Sequence, residues 1–413
     1  MLKKSVVGCL VALALTGCGP KPMESINFGV VISTTGGYGA LGGERTQGVQ
    51  LAVAEINAKG GVLGKQLSFT AKDDATTRAN AKTIVEGFVA DGLQAVIGPS
   101  FSGGSLEVLP VTGPAKVLQI SGSATSPALT TADDKGMFFR TCAPDTAQAA
   151  VLARKANDGT LRRVAMFTDS GDGKAYSEGI ANEFKRAFEA RDPLNSVVTS
   201  VTLTSGQTSY KAELDALFAA NPTVQAVLLP LYSAQSAVVI ADYQKNQSSY
   251  PNVTWLLTDS SAEADFVAGV TAAGGSFAGV THYGTGPGAS ASRYQGFVDR
   301  FKAKFGAEPE ETSFAANYYD ATYLMALAAE AAGEFNGEKM AAKYVEVSTG
   351  GSIVSSDDYA AAVADVKAGK DVDYDGVSGP ADLASMGEPT VAPYNIWSVV
   401  SGKITSVERG VLP

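Results

Sequence analysis

The sequence predicts an α/β protein made of doubly wound parallel sheets, and three observations support this prediction. Short apolar runs of strand length alternate with segments whose apolar residues repeat with helical spacing. The strand runs are continuously apolar, which is typical of parallel strands that are buried on both faces. At 413 residues, the chain is long enough for about two or three domains. These features together indicate at least two lobes built from βα units.

The predicted strands follow one another at regular intervals from residue 26. They are Ile26–Ser33, Gln66–Lys72, Ala95–Gly98, Val117–Ser121, Arg163–Thr168, Val197–Leu203, Val224–Pro230 and Thr254–Thr258. Helices are predicted between them. The apolar residues at 49, 52, 53 and 56 fall on one helical face, and those at 81, 84, 85 and 88 repeat that spacing.

The first 25 residues have the features of a signal peptide followed by a tether. Two lysines precede the apolar run Ser5–Leu15, which is too short to span a bilayer. The run ends in Leu-Thr-Gly-Cys, which resembles the lipobox of bacterial lipoproteins. The resemblance implies removal of residues 1–17, lipidation of Cys18, a tether over 18–25, and a periplasmic or cell-envelope protein anchored to the membrane. An ordinary signal peptide with an accidental cysteine is the alternative.

Composition and charge narrow the possible function classes. The formal net charge is −10 and the pI is about 4.8, which argues against nucleic acid as a partner because phosphate binding needs a basic face. One histidine and three cysteines leave little material for a zinc site or a histidine-based triad. We therefore expect no enzyme activity, no cofactor and no bound metal. Cys9 leaves with the signal peptide, so beside the lipidated Cys18 only Cys142 remains, and no internal disulfide is expected.

Two motifs partly match known ligand loops. Residues 37–42 fit G-x-G-x-x-G, but the acidic residue that a dinucleotide site needs about 20 positions later is missing, since Asp73 lies too far on. Residues 371–376 resemble the opening of a calcium-binding EF-hand loop. Pro380 interrupts that loop and Asp382 stands where glutamate belongs, so an acidic surface turn is favoured over a calcium site.

Two strand ends resemble each other. Ala-Val-Ile-Gly-Pro at 95–99 leads into Ser-Phe-Ser, and Ala-Val-Leu-Leu-Pro at 226–230 leads into Leu-Tyr-Ser. Each is an apolar strand closed by proline, then a hydroxyl-bearing turn, then a helix. Because ligands of open α/β sheets bind beyond the carboxyl ends of strands, we expect two similar lobes that present these turns to a shared cleft. A chance likeness between two buried strands is the alternative.

Segments spread over the chain resemble one protein family. Residues 48–64 read Gly-Val-Gln-Leu-Ala-Val-Ala-Glu-Ile-Asn-Ala-Lys-Gly-Gly-Val-Leu-Gly, and shorter matches follow in order at 73–74, 96–99, 121–127, 176–179 and 375–380. This pattern resembles the type I periplasmic binding proteins, and among them the leucine/isoleucine/valine-binding family of ABC transporters.

The resemblance implies two lobes that are joined by three chain crossings. Lobe I would comprise residues 26–143 and 279–372, and lobe II residues 144–278 and 373–413. The ligand would lie between the lobes, which would close around it by hinge bending.

The resemblance also implies a lobe I grip on an α-amino acid. Ser102, with backbone amides at a helix start, would receive the α-carboxylate, and a helix N-terminus suits an anion. The Ser123 carbonyl would accept from the ammonium, and the Thr125 hydroxyl and N–H would serve the carboxylate. Helix N-caps or hydroxyl-rich turns are the alternative for all three.

Lobe II would complete the grip. Asp259 follows a predicted strand and would pair with the ligand ammonium, unless it is the N-cap of a helix starting near Ser261. Tyr176 and Tyr232 would close over the ligand, with packing between the lobes as the alternative. The turn that holds Tyr38 differs from the family pattern, so a contact from Tyr38 stays open. His282 and the following tyrosine could line the side-chain end of the pocket.

The implied function is capture of a small amino acid, branched-chain or aliphatic by family default, and its delivery to an ABC permease. We expect a monomer that binds this small molecule and no nucleic acid. A ligand-sensing role, or an amide, urea or other small organic solute as ligand, is the alternative. An amidase or esterase would need His282 as its base, because it is the only histidine.

Overall fold

The structure is a computed structural model that describes residues 25–288, 291–389 and 393–413. The predicted signal peptide, Cys18 and the tether up to residue 24 lie outside these residues, so the lipid anchor stays a prediction. No helix in the described ranges combines the length and apolarity that crossing a bilayer requires.

Strands and helices alternate through the first two thirds of the chain, as the sequence predicts. The strands are β1 (Ser25–Val31), β2 (Gln66–Lys72), β3 (Ala95–Ile97), β4 (Leu118–Ser121), β5 (Phe138–Arg140), β6 (Arg163–Asp169), β7 (Ser196–Leu203), β8 (Ala226–Leu229), β9 (Thr254–Leu257), β10 (Thr281–Pro287), β11 (Ser352–Val354), β12 (Val372–Tyr374), β13 (Tyr394–Val400) and β14 (Lys403–Val411). The helices are α1 (Gly42–Ala58), α2 (Arg78–Ala90), α3 (Ser102–Ala115), α4 (Asp145–Asp158), α5 (Lys174–Arg191), α6 (Lys211–Ala220), α7 (Ser233–Lys245), α8 (Ala264–Ala272), α9 (Ala291–Phe305), α10 (Ala315–Ala332), α11 (Gly337–Tyr344) and α12 (Tyr359–Lys367).

Two sheets define two lobes. Lobe I holds a five-stranded parallel sheet in the order β2-β1-β3-β4-β5. Lobe II holds a seven-stranded sheet in the order β14-β13-β10-β9-β8-β6-β7, which is parallel from β7 to β10 and antiparallel at β13 and β14. The prediction of two α/β lobes with doubly wound parallel sheets is therefore confirmed, with an antiparallel edge that the sequence did not indicate.

Two predicted lobe boundaries are wrong. Strand β10 pairs with β9 and β13, so residues 281–287 belong to lobe II and the second crossing follows Pro287 rather than residue 279. Residues 374–388 stay with lobe I, where Tyr374 packs in its core and Glu388 pairs with Arg140. The third crossing therefore falls near Pro389. The sequence did not predict β10 as a strand, because this glycine- and threonine-rich segment lacks the apolar run that marks the other central strands.

The predicted helix faces are buried as expected. Val49, Ala52 and Ile56 of α1 are fully buried, and Ala81 and Val85 of α2 repeat the arrangement. Helix α10 is buried around nearly its whole circumference and forms the centre of the lobe I core with α1. A helix that is apolar all round is typical of such a central position.

Both strand ends that resemble each other are followed by helices, as predicted. Strand β3 leads into α3 at Ser102, and β8 leads into α7 at Ser233. The residue before each helix, Phe101 or Tyr232, is extended. Both turns lie at carboxyl ends of parallel strands and so face the space between the lobes.

Candidate functional site

The two lobes meet across a cleft at the carboxyl ends of their strands. The Ser126 hydroxyl donates to the carbonyl oxygen of Ala175, at 2.7 Å. The Arg78 guanidinium lies 3.0 Å from the Asp172 carboxylate. Each pair joins lobe I to lobe II, so the structure is a closed arrangement of the lobes.

The predicted lobe I residues lie together at the ends of β3 and β4. Ser102 Oγ accepts a hydrogen bond from the Ser126 N–H at 3.1 Å. Ser123 Oγ donates to the Ser100 carbonyl at 2.7 Å and lies 2.9 Å from the Tyr318 hydroxyl. These hydroxyls therefore tie the two turns to each other and to α10.

The predicted lobe II residues Tyr176 and Asp259 are in direct contact. The Tyr176 hydroxyl lies 2.8 Å from Asp259 Oδ1 and 2.7 Å from the Thr258 hydroxyl. Burial raises the pKa of the Asp259 carboxyl group, and the Tyr176 hydrogen bond opposes this shift. Asp259 begins a 3₁₀ turn, Asp259–Ser261, and helix α8 starts only at Ala264, so Asp259 is not the N-cap of a helix at Ser261.

Three tyrosines stack across the cleft. The ring of Tyr232 lies between Tyr38, at 4.9 Å between ring centroids, and Tyr176, at 5.6 Å. Tyr38 belongs to lobe I and the other two belong to lobe II. The Tyr232 hydroxyl is buried and has no hydrogen-bond partner among the described residues. The stack places Tyr38 in the cleft, a position that the sequence left open.

Arg45 is a buried cation beside this stack. Its guanidinium carbon lies 3.9 Å from the centroid of the Tyr38 ring, and the group donates to the carbonyl oxygens of Tyr38 and Ser313. Arg45 was not among the predicted site residues. Its spacing of four from Val49 puts it on the buried face of α1, and that signal was available in the sequence.

A cavity lies in the cleft beside the chain crossings. Its empty volume is about 860 Å³, counting its opening to solvent. Thr125 of lobe I and Asp259 of lobe II both line it, whereas the other four predicted residues do not. Its wall also includes Thr141, Cys142, Gln148, Tyr294, Glu310 and Tyr394.

Asp145 is a second acidic residue that sequence reasoning missed. It is fully buried at the start of α4, and its backbone N–H donates to the Thr125 carbonyl at 2.9 Å. Neither carboxylate oxygen meets hydrogen-bond geometry with a donor among the described residues, although the Thr125 side chain and the Arg140 guanidinium lie close enough to lower the pKa of the group. Burial and the nearby charge of Asp259 hold the pKa of the Asp145 carboxyl well above its usual range. An acidic residue after proline was easily mistaken for an ordinary helix start.

His282 lies in the lobe II sheet, and the cavity lining includes neither it nor Tyr283. Its Nε2 atom accepts from the Val399 N–H at 2.9 Å, and Nδ1 lies 2.8 Å from the Val280 carbonyl. The ring therefore links β10 to β13. The possibility that these two residues line the pocket finds no support, because they lie near the start of β10, whereas Pro287 at the other end of the same strand lines the cavity.

The acidic turn near residue 373 contains an ion pair. Asp375 pairs with Arg293 at 2.9 Å, and the described residues contain no group of three or more acidic, histidine or cysteine side chains arranged to hold a metal ion.

Comparison with known proteins gives three results. A family profile described as periplasmic binding protein matches residues 25–403. The Leu/Ile/Val-binding protein BraC3 of Rhizobium johnstonii is 34% identical over 194 residues, which are 46% of this chain and 50% of that protein. The aligned part of the chain thus covers about half the length of this curated relative.

Solved structures share the fold over nearly the whole chain. The branched-chain amino acid substrate-binding protein LivJ of Streptococcus pneumoniae, in complex with isoleucine, is 23% identical with a TM-score of 0.75, and the match covers 94% of this chain and 100% of that one. A solute-binding protein of R. palustris in complex with benzoate is 18% identical with a TM-score of 0.71, covering 94% and 97%. At these identities the likeness concerns the fold.

Proposed function

Because this chain belongs to the periplasmic binding protein family, we propose that it captures a small amino acid between its lobes outside the cytoplasm and delivers it to an ABC permease. The observation that carries the proposal is one cavity lined by Thr125 of lobe I and Asp259 of lobe II. Branched-chain or aliphatic amino acids are the ligand class favoured by the name of the relative from Rhizobium johnstonii. In this proposal, a lipid on Cys18 holds the protein at the membrane.

The ammonium end of the ligand would pair with Asp259. A buried carboxylate is costly unless a cation or several donors compensate its charge. The Tyr176 hydroxyl donates a hydrogen bond to Oδ1 of Asp259, and Asp259 lines the cavity. A ligand ammonium would supply a charge-assisted hydrogen bond worth about 1.5–3 kcal/mol.

The carboxylate end would lie against the ends of β3 and β4. The N-terminus of α3 offers unpaired N–H groups and a partial positive charge, and Ser102 is the first residue of that helix. Thr125 lines the cavity from the next turn. Ser102, Ser123 and Thr125 remain the proposed lobe I contacts, and Tyr232 and Tyr176 the proposed lobe II contacts, although only Thr125 among these five lines the cavity in the closed structure.

Thermal melts test the proposal directly. The purified protein would be unfolded and refolded to remove carried-over ligand, and then melted with each common amino acid, urea, short amides and aromatic acids. A ligand at 100 times its dissociation constant should stabilise by about 2.7 kcal/mol, which gives a clear shift. A shift with an amide or aromatic acid, and with no amino acid, would contradict the role of Asp259.

The variant Asp259→Asn isolates the ammonium contact. We expect its affinity for the best amino acid to fall by about tenfold or more, because the charge-assisted bond is lost. Asp265→Asn on the exposed start of α8 is the matched control and should bind as the wild type does. An Asp259→Asn affinity within about a factor of two of wild type would contradict the proposed contact.

A further inference from the structure

Arg45 is a buried cation without a close counterion. Its side chain is 1% exposed on the buried face of α1, and no carboxylate among the described residues lies within ion-pair distance of its guanidinium. A buried charge is costly unless other groups compensate it. The guanidinium donates to the carbonyl oxygens of Tyr38, at 3.0 Å, and of Ser313, at 3.1 Å, and its carbon lies 3.9 Å from the centroid of the Tyr38 ring. Arg45 thus contacts both the backbone and the ring of Tyr38.

Tyr38 lies where the two lobes meet. Its backbone N–H donates to the Thr76 hydroxyl at 3.1 Å, which ties the turn to lobe I from a second side. Its ring is 4% exposed and stacks on Tyr232 of lobe II, with 4.9 Å between the centroids. Its hydroxyl lies near the Ser123 side chain. Tyr38 is therefore next to a proposed ligand contact of each lobe, and Arg45 packs on the same ring.

The charge of Arg45 also reaches lobe II. Burial raises the pKa of the Asp259 carboxyl group, and Arg45 opposes this shift. It acts in the same direction on the buried Glu263, in the segment that leads into α8. Arg45 thus favours the ionised form of Asp259, which is the form that a ligand ammonium requires.

We propose that Arg45 is a positioning residue of the ligand cleft, which holds the Tyr38 ring in the orientation that stacks on Tyr232 when the lobes close. The inference rests on the proposed capture of a solute between the lobes, and adds a residue that acts on the solute through Tyr38. A role in the stability of lobe I alone is the alternative, because the Ser313 contact joins the Tyr38 turn to the segment before α10. The two roles differ in whether the effect of Arg45 on affinity depends on Tyr38.

A double-mutant cycle tests this dependence. The variants are Arg45→Gln, which removes the charge, Tyr38→Leu, which removes the ring, and the combination of both, each titrated with leucine by calorimetry. We expect Arg45→Gln to weaken leucine binding by about tenfold, since a desolvated cation on an aromatic ring contributes affinity of this order. In the Tyr38→Leu background the same change should weaken binding by less than about threefold, because the ring that Arg45 positions is gone. An equal loss in both backgrounds, or no loss in the wild-type background, would overturn the inference.

Two further variants separate positioning from stability. Arg45→Lys keeps a cation for the Tyr38 ring and should bind leucine at least about threefold more tightly than Arg45→Gln does. It replaces Arg45→Gln in the cycle if that variant does not fold, and its smaller loss should likewise disappear in the Tyr38→Leu background. Arg300→Gln is the matched control, because Arg300 also lies over a lobe I tyrosine, 5.9 Å from the Tyr319 centroid, and does not line the cavity. It should destabilise lobe I in urea unfolding and keep the wild-type affinity. An affinity loss in Arg300→Gln equal to that in Arg45→Gln would mean that Arg45 acts through stability alone.

Failure of the proposed function gives a different result. If the wild type binds none of leucine, isoleucine and valine, but urea, an amide or an aromatic acid shifts its thermal melt, the proposed amino-acid ligand is wrong. The same cycle with that solute then tests Arg45 by itself, because stacking of Tyr38 on Tyr232 concerns closure over any solute. A loss confined to the background that has Tyr38 would support the inference, and an equal loss in both backgrounds would overturn it. Binding of no solute at all would overturn both.

Discussion

At the residue scale, buried carboxyl groups govern how this protein responds to pH. Asp74 is fully buried after β2, where Oδ1 accepts from the Ser33 hydroxyl at 2.6 Å and from the Thr76 N–H at 3.0 Å. Oδ2 has no partner among the described residues. Burial raises the pKa of Asp74 to about 6, even though these bonds oppose the shift. The ionised form is therefore disfavoured in the folded protein.

The raised pKa of Asp74 predicts that the free energy of unfolding falls as pH rises. Between about pH 4 and pH 6 the folded state holds the Asp74 proton and the unfolded state has lost it, so the free energy of unfolding decreases with pH. Asp74 alone should account for roughly 2–3 kcal/mol of this decrease. Urea unfolding of wild type and Asp74→Asn from pH 4 to pH 7 measures the difference.

The Asp74→Asn variant should show a flatter dependence, because the titrating group is gone. Asp320, whose pKa burial also raises to about 6, titrates in both proteins and cancels in the comparison. Asp91→Asn, at the exposed end of α2, is the control and should keep the wild-type slope. Equal slopes for wild type and Asp74→Asn would contradict the predicted shift.

At the element scale, the contact between α1 and α10 organises lobe I. A Cβ atom added at Gly48 of α1 would lie 2.2 Å from the backbone carbonyl oxygen of Ala315, where α10 begins. A backbone atom cannot move aside as a flexible side chain can. The absence of a side chain at Gly48 therefore sets how closely these helices approach.

We expect Gly48→Ala to lower the free energy of unfolding by about 1–3 kcal/mol or more, through forced separation of the two helices. Gly43→Ala in the same helix is the matched control, since a Cβ there meets nothing within 4 Å. It should be neutral or should stabilise by up to about 1 kcal/mol. Urea unfolding distinguishes them, and equal values for the two variants would contradict the packing argument.

At the scale of the whole molecule, the closed arrangement depends on close backbone contact between the lobes. A Cβ atom added at Gly103, in the first turn of α3, would lie 2.5 Å from the Asp172 carbonyl oxygen of lobe II. The Arg78–Asp172 ion pair beside it is exposed and contributes at most about 1 kcal/mol. Adding a side chain at position 103 should therefore hinder closure more than losing this ion pair would.

We expect Gly103→Ala to weaken ligand binding about tenfold or more and to leave the unfolding of the unliganded protein nearly unchanged, because the clash arises only in the closed state. Gly87→Ala on α2 meets nothing within 4 Å and is the control for a glycine-to-alanine change in a lobe I helix. Small-angle scattering with saturating ligand should show incomplete closure for Gly103→Ala alone. Wild-type affinity in this variant would mean that binding does not need the contact.

The sequence by itself determined the α/β class, the order of βα units, and the two turns that lead into α3 and α7. It could do so because periodicity and turn chemistry are local properties of the chain. The family resemblance in the sequence also predicted ligand contacts from both Tyr176 and Asp259. In the structure these two side chains share a hydrogen bond, and their contact with a ligand stays a prediction.

Only the tertiary structure decided which lobe β10 and residues 374–388 join, and it alone placed Asp145 near Asp259. For Arg45 the helical spacing indicated burial, but only the structure placed it over the Tyr38 ring. Strand pairing and charge proximity join residues that are far apart in the chain, so no local pattern reports them. The electrostatic character of the cavity arises in the same way. Acidic residues from three separate segments line it, and each segment is ordinary in its own local sequence. Burial also raises the pKa of the nearby Asp145 carboxyl group.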